Sequence, residues 1–310
     1  MIKEGKEKKD LLYEACIMSQ FKHPNVVRFE AVVSETYPQM IVMEYMENGS
    51  LKKFLQKNNG KLSVPQLVAM IKDVACGMEY LSKIKKYIHR DLAARNVLVN
   101  NNLLCKVSDF TLSRGKKYDI EEEGTYTMKN GGIFPVRWTA PDSIETNRFT
   151  TASDVWSFGV VMWETFEYGK IPYERFKKNM EVIEKVKAGY RLPAPTICPP
   201  VLYEIMLNCW NGDPKLRPTF SDIEQKVQNF LKSSNATSNG IRHSPQRSKM
   251  AAELNKTTQD GQDHCSLCKI NLQGERLSEH KSTPLHRMNY IKYIYHTQKK
   301  SMIRDKKELL

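Results

Sequence analysis

Along this chain, apolar residues recur at Val64, Leu67, Val68, Ile71, Val74, Ala75, Met78 and Leu81. That spacing predicts a long helix over 64–84 with one face turned to a core. The stretch "TASDVWSFGVVMWETF" is apolar nearly all round and predicts a buried helix, with Thr151 or Ser153 near its start. Further helices are expected over 7–20, 179–188, 199–210 and 219–231. Two β-branched stretches, "NVVRFEAVV" (25–33) and "QMIVMEYM" (39–46), read as strands separated by a turn containing Pro38. "LLCKVSDF" reads as a third, short strand. Residues 111–150 are polar, turn-rich and long for a connection, a combination often tied to function. Residues 232–263 are rich in Ser, Asn, Thr and Gln and read as a linker. The pattern is that of an α+β protein, a few strands followed by mostly helix.

Composition narrows the class. With 310 residues, 40% of them hydrophobic and 27% charged, the chain can bury a full core and fill one large domain or two unequal ones. No apolar run approaches a membrane span and no signal peptide is evident. The net charge of +13 is uneven: from Leu231 onward, 15 Lys+Arg face 7 Asp+Glu. The basic end is a solvated surface in the plainest reading and a nucleic-acid contact in the sharper one. Five cysteines are scattered singly and suit a reducing compartment, whereas Cys265 and Cys268 form a CxxC.

The chemistry concentrates in "IHRDLAARNVL" (88–98) and in "SDF". Asp91, Asn96 and Asp109 are hard oxygen donors, suited to Mg²⁺ rather than Zn²⁺. "HRDLAARN", followed thirteen residues after its Asn by "DF", has the order and spacing of a phosphoryl-transfer loop and its metal-binding turn. His89 reads as a satisfied core histidine, and Asp154 as a cap on backbone amides near that loop.

"WTAPD", "SDVWSFGVVMWE" and "DPKLRPTF" are similar to the C-lobe signatures of protein tyrosine kinases. "EACIMSQFKHPNVVRFEAVV", "MIVMEYMENGSL" and "CKVSDFTLSR" resemble, more narrowly, the Eph-type receptor tyrosine kinases, over about residues 6–232. The "AAR" after Asp91 points to the tyrosine-specific class. The resemblance implies a protein-kinase-like fold, a helical C-lobe from about 47 and an N-lobe remnant before it. It implies ATP and Mg²⁺ as cofactors and protein tyrosine as substrate. Asp91 would accept the substrate hydroxyl proton, Arg95 would stabilise the transferring phosphate, and Asn96 and Asp109 would hold Mg²⁺. Met43 would be the gatekeeper, with Glu44, Tyr45 and Met46 as the adenine hinge. Glu14 would be the helix glutamate, Tyr126 the activation-loop phosphosite, and "FPVRWTAP" the wall that receives the substrate tyrosine. Asp142 would pair with Arg217. The chain would be cytoplasmic as it stands, and membrane-associated if it is part of a receptor.

Three departures from that pattern shape the expectation. Neither "GxGxxGxV" nor "VAIK" occurs, so the first three N-lobe strands are expected to be absent and the chain is read as a piece of a longer kinase. "DFT" stands where the family has "DFG", which restricts the backbone at Thr111. "APD" replaces "APE", so the brace at Asp142 must reach one methylene further. A catalytically impaired scaffold is the competing reading.

The C-terminal segment carries Cys265-x2-Cys268-x11-His280-x5-His286, a ligand set for a closed structural zinc site. It resembles U1-like or matrin-type C2H2 fingers, which implies an RNA or protein partner. The expected division is a kinase domain over 1–232, a linker over 233–263, a finger over 264–290 and a basic tail over 291–310. A third reading follows, a zinc-finger binder that carries a kinase relic.

Overall fold

The computed structural model describes residues 11–12, 14–34, 39–110 and 135–234, and the backbone of 118–122, 125–128, 235–238, 264–265 and 270–271. It opens with a helix that includes 14–19 (α1), followed by an antiparallel pair, β1 (Phe29–Val33) and β2 (Met40–Met43). Helices α2 (Leu51–Lys57) and α3 (Val64–Glu79) come next. A short 3-10 turn (Ala94–Asn96) leads into the pair β3 (Val97–Val99) and β4 (Cys105–Val107). Strands β5 (Tyr118–Glu122), β6 (Thr125–Met128) and β7 (Arg148–Phe149) form a third small sheet, with α4 (Pro141–Thr146) between the last two. Helices α5 (Thr151–Phe166), α6 (Asn179–Lys187), α7 (Pro200–Cys209) and α8 (Phe220–Ser238) complete the helical body.

The core is organised around α5, in which every residue from Ser153 to Phe166 is buried. A helix apolar all round needs neighbours on every side, and α2, α3 and α7 supply them. Its N-cap is Thr150, one residue before the start expected from sequence; the Thr150 hydroxyl accepts from Ser153 N and the Ser153 hydroxyl accepts from Thr150 N. At Gly159 a Cβ would stand 2.7 Å from Trp210 Nε1, so α5 and the end of α7 approach as closely as only glycine allows.

Several element boundaries differ from the periodicity. The α-helical part of 64–84 ends at Glu79 and its last turn is a π turn over Tyr80–Ile84, closed by Lys85 N donating to Tyr80 O at 3.2 Å. The stretch 25–33 is a β1 ladder only from Phe29. Its first residues instead pair with β4: Val27 N donates to Val107 O, and Val107 N to Asn25 O, both at 2.9 Å. The end of α8 passes 231 and reaches Ser238; Ser233 and Ser234 turn their hydroxyls back to Phe230 O, at 2.9 and 2.5 Å, which suits polar residues to a helix. Helix α4 and the sheet β5–β6–β7 arise within 111–150, which reads from sequence as a polar, turn-rich connection, and α2 is an element the sequence reading does not include. Among the described residues no helix is long and apolar enough to cross a membrane.

Candidate active site

The loop between Ile88 and Val97 is held from below by α5. Asp154, 1% exposed, accepts His89 N at 2.7 Å on Oδ2 and Arg90 N at 2.9 Å on Oδ1. Those two bonds fix a strained point, since Arg90 has φ 70°, in the left-handed region. His89 is fully buried. Its Nδ1 accepts Asp91 N at 3.3 Å, which leaves Nε2 as the protonated nitrogen facing Ser108 O at 3.0 Å. Burial holds its pKa below the ordinary value, in keeping with a neutral ring.

Asp91, Arg95 and Asn96 meet at the mouth of this loop. Asp91 Oδ1 accepts from Arg95 Nη2, and Asp91 Oδ2 accepts from Asn96 Nδ2 at 2.8 Å. Asn96 Nδ2 also donates to Asp91 O at 2.7 Å, so its amide nitrogen is spent within the loop and its carbonyl oxygen is the atom left for a cation. Ser108 crosses from β4: its N–H and hydroxyl both donate to Asn96 O at 2.8 Å. That bond sets Asp109 beside the cluster. Asp109 is half-buried, with φ 62°. Its charge reaches Asp91, whose carboxyl burial pushes up to about 6; Arg95 opposes the rise, Asp109 adds to it and the bond from Asn96 lowers it. Phe110, 0% exposed, anchors the turn against Phe21, Tyr87 and His89, at ring distances of 5.0, 5.8 and 5.5 Å.

The hinge stretch follows β2. Glu44 N donates to Arg28 O at 3.0 Å. The Glu44 carboxylate takes Arg28 N at 2.7 Å and both of its oxygens take Lys106 Nζ at 2.8 Å. Met43 is half-buried, Tyr45 is exposed and Met46 is buried. The chain then ties itself to β3, with Asn48 N donating to Val99 O at 3.0 Å and Val99 N to Gly49 O at 2.9 Å. Glu14 lies half-buried on α1.

Away from this cluster, Arg217 Nη2 donates to Asp142 Oδ1 at 2.5 Å. The Arg217 side chain is 0% exposed and also reaches Ala152 O and Asn211 O, each at 3.0 Å. Tyr126 falls in β6, where its backbone pairs with Phe149 of β7; its side chain lies outside the described residues, as does Thr111. Cys265 stands in a two-residue strand, but the side chains of Cys265, Cys268, His280 and His286 lie outside the described residues. Among the described residues, no group of three His, Cys, Asp or Glu is arranged around a metal position. Asp91, Asn96 and Asp109 include only two such residues, both Asp, with an amide as the third donor.

Two functional contacts escaped the sequence reading. Glu164, whose carboxylate accepts Ala94 N of this loop at 2.9 Å, sits in a helix buried on all sides, and that contrast is its signal. Lys106, the partner of Glu44, lies in a strand whose alternation marks it only as outward-facing.

Residues 1–227 match the family of protein tyrosine and serine/threonine kinases. The ephrin type-A receptor 5 of Rattus norvegicus is 50% identical over 248 residues, which are 80% of this chain and 24% of that receptor. The ephrin type-A receptor 5 of Gallus gallus is 52% identical over 227 residues, 73% of this chain and 22% of the receptor. The ephrin type-B receptor 2 of Gallus gallus is 49% identical over 231 residues, 74% of this chain and 23% of the receptor. The chain therefore spans less than a quarter of the length of each of these relatives.

Proposed function

The chain belongs to the protein tyrosine and serine/threonine kinase family, and from that premise we propose that it transfers the γ-phosphoryl group of ATP to tyrosine residues of proteins, as the kinase portion of an ephrin-receptor-like protein at the cytoplasmic face of a membrane. The observation that carries this reading is the cluster of Asp91, Arg95 and Asn96, clamped to α5 through Asp154 and flanked by Asp109. Asp91 takes the proton of the incoming hydroxyl. Its carboxyl is only 16% exposed and is oriented on both oxygens, which suits a base that must meet one proton in one direction. Arg95, pre-set against Asp91, offers its guanidinium to the charge on the transferring group. The oxygen donors of Asn96 and Asp109 fit Mg²⁺ by their chemistry. Bound there, Mg²⁺ and ATP supply the phosphoryl group and the cation that neutralises its charge.

The remaining roles follow the same reading. The backbone of Glu44 to Met46 receives the adenine, Met43 guards the space behind it, and Glu14 matches the α1 carboxylate that pairs with the family's phosphate-binding lysine, whose motif these 310 residues do not contain. Tyr126 is the activation-loop phosphosite. Asp142 and Arg217 brace the substrate wall against the helical body.

The test is phosphoryl transfer from Mg-ATP to a tyrosine peptide by the full chain, read by phosphotyrosine mass spectrometry. Transfer that falls by about 10²–10⁴-fold in Asp91→Asn supports the reading. No transfer, or transfer indifferent to Asp91→Asn, favours a non-catalytic scaffold.

A second reading concerns the C-terminal segment alone. There β8 (His264–Cys265) pairs antiparallel with β9 (Ile270–Asn271), and Cys265 with Cys268 has the CxxC spacing of the first two ligands of a small zinc finger. With His280 and His286 they would close a structural site and present the basic tail to RNA or to a protein partner. One zinc per chain by native mass spectrometry, lost in Cys265→Ser, supports it; a metal-free chain refutes it.

A further inference from the structure

Glu164 is the unexplained group of the helical body. It is 0% exposed, in the middle of α5, and burial pushes its carboxyl above the usual range. A charged side chain in such a place is costly unless its contacts serve something. Both of its observed contacts use one oxygen. Oε2 accepts Ala94 N of the catalytic loop at 2.9 Å and Trp138 Nε1 of the substrate wall at 2.9 Å. Among the described residues Oε1 has no hydrogen-bond partner. A single atom thus fixes the spacing between two segments that approach the site from different directions.

What stands on that spacing is Arg95. It follows Ala94 in the chain, and its guanidinium lies over the Trp138 indole, 4.4 Å from the ring centre. From there Arg95 reaches Asp91. The wall itself is held to the same helix a second time, with Ser157 Oγ donating to Trp138 O at 2.7 Å. The backbone that carries Arg95 and the aromatic surface beneath its side chain are therefore both indexed to Glu164 Oε2.

We propose that Glu164 and Trp138 are positioning residues for phosphoryl transfer: Glu164 sets the indole, and the indole holds the Arg95 guanidinium in register with Asp91. The proposal rests on the kinase reading for its catalytic consequence but not for its geometry. Neither residue touches the reacting atoms. Glu164→Gln keeps the shape and one accepting oxygen but weakens both bonds and brings a buried N–H₂ without a partner. Trp138→Phe keeps a ring under Arg95 and removes the N–H that orients it.

Two measurements on the full chain decide the matter. The first is kinetic. Each variant is expected to lower kcat by about 10–100-fold, the scale of a misplacement of about 1 Å, while KM for ATP stays within about 2-fold. In an Arg95→Ala background the same changes are expected to add almost nothing, because both act through Arg95. A role in folding alone would lower kcat equally in either background, and that result would overturn the proposal. The second is the Arg95 side-chain Nε–H signal by NMR, assigned with Arg95→Lys. In the wild type it should be displaced by the Trp138 ring current, and in Glu164→Gln it should relax toward the free-arginine position with the fold intact. An unmoved signal overturns the proposal. If the wild-type chain transfers no phosphate yet the signal relaxes as expected, the positioning stands and the kinase reading fails.

Discussion

Substitution of Asp154 by Ala removes the side chain on which the start of the 88–97 loop rests. Its two oxygens take His89 N at 2.7 Å and Arg90 N at 2.9 Å, both from buried residues, so no water replaces them without opening the loop. Each is a charge-assisted bond of about 1.5–3 kcal/mol, and the lost pair totals about 3–6 kcal/mol. Deleting the carboxylate also deletes a buried charge, which returns part of that, so the net loss is about 3 kcal/mol. In a body of this size each kcal/mol lowers Tm by about 2–4 °C, which gives a fall of about 6–12 °C. Circular-dichroism melts of the full chain and of Asp154→Ala measure it. Amide hydrogen exchange at His89 and Arg90 locates it: those two amides should lose protection together, ahead of the α5 amides. Asp154→Asn should lie between the two proteins, since its N–H₂ meets one of the two donors head on. A Tm within about 2 °C of the wild type, or unchanged exchange at His89 and Arg90, would show that the loop is held elsewhere and that Asp154 is dispensable.

Other outcomes follow from the same geometry. Asp142→Ala leaves the Arg217 charge, 0% exposed, on two backbone carbonyls; the expected cost is about 2–4 kcal/mol in urea unfolding, and Asp142→Ala with Arg217→Met should recover part of it. In Mg²⁺-free solution the Asp91 carboxyl should titrate near 6, against about 3.9 for an unfolded aspartate. The native state then binds the proton more tightly, so the Asp91 contribution falls as pH rises through that window and is constant above it; Asp91→Asn should remove that slope from the pH dependence of urea unfolding. Gly77→Ala places a Cβ 2.5 Å from the Asn25 carbonyl oxygen, a backbone atom that cannot swing away; a loss of about 1–3 kcal/mol is expected, with exchange of the Val27 and Val107 amides rising first.

The helical body was largely legible because burial there repeats with the helix period. The stripe from Leu67 to Met78 is buried as the spacing predicts, and α5 is buried on all sides. Asp154 was legible as a cap because an acidic residue at the head of an apolar helix has few other uses. The ends were less legible. Nothing in Tyr80–Ile84 distinguishes a π turn from a continuing α-helix; Tyr80 is drawn out by contacts from the far side of the chain, with Lys22 N donating to its hydroxyl at 2.9 Å and His23 stacked on its ring at 4.8 Å. The sheet β5–β6–β7 was illegible because its strands have no apolar alternation and are set by pairing with Arg148–Phe149. Within the site, the motif residues could be named from spacing alone, whereas the Glu44–Lys106 pair and the hydrogen bonds from Ala94 and Trp138 to Glu164 join residues 62, 70 and 26 positions apart, a relation that local pattern does not encode.

The anchors of the catalytic loop share one origin. Asp154 and Glu164 stand on α5 ten residues apart, nearly three turns, and grip the loop at its two ends: His89 and Arg90 before Asp91, Ala94 after it. Asp91 stands between those grips, Arg95 and Asn96 follow directly on the second, and Ser108 closes the arrangement from β4. A loop held at both ends by one rigid helix keeps its geometry whatever the β1–β2 pair and α1 do. Disturbance of the hinge, for instance Lys106→Ala beside Glu44, should therefore weaken nucleotide binding while leaving exchange at His89, Arg90 and Ala94 unchanged. Disturbance of α5 should do the reverse. Loss of protection at those three amides in Lys106→Ala would mean that the hinge and the catalytic loop form one cooperative unit, and that the independence argued from α5 is false.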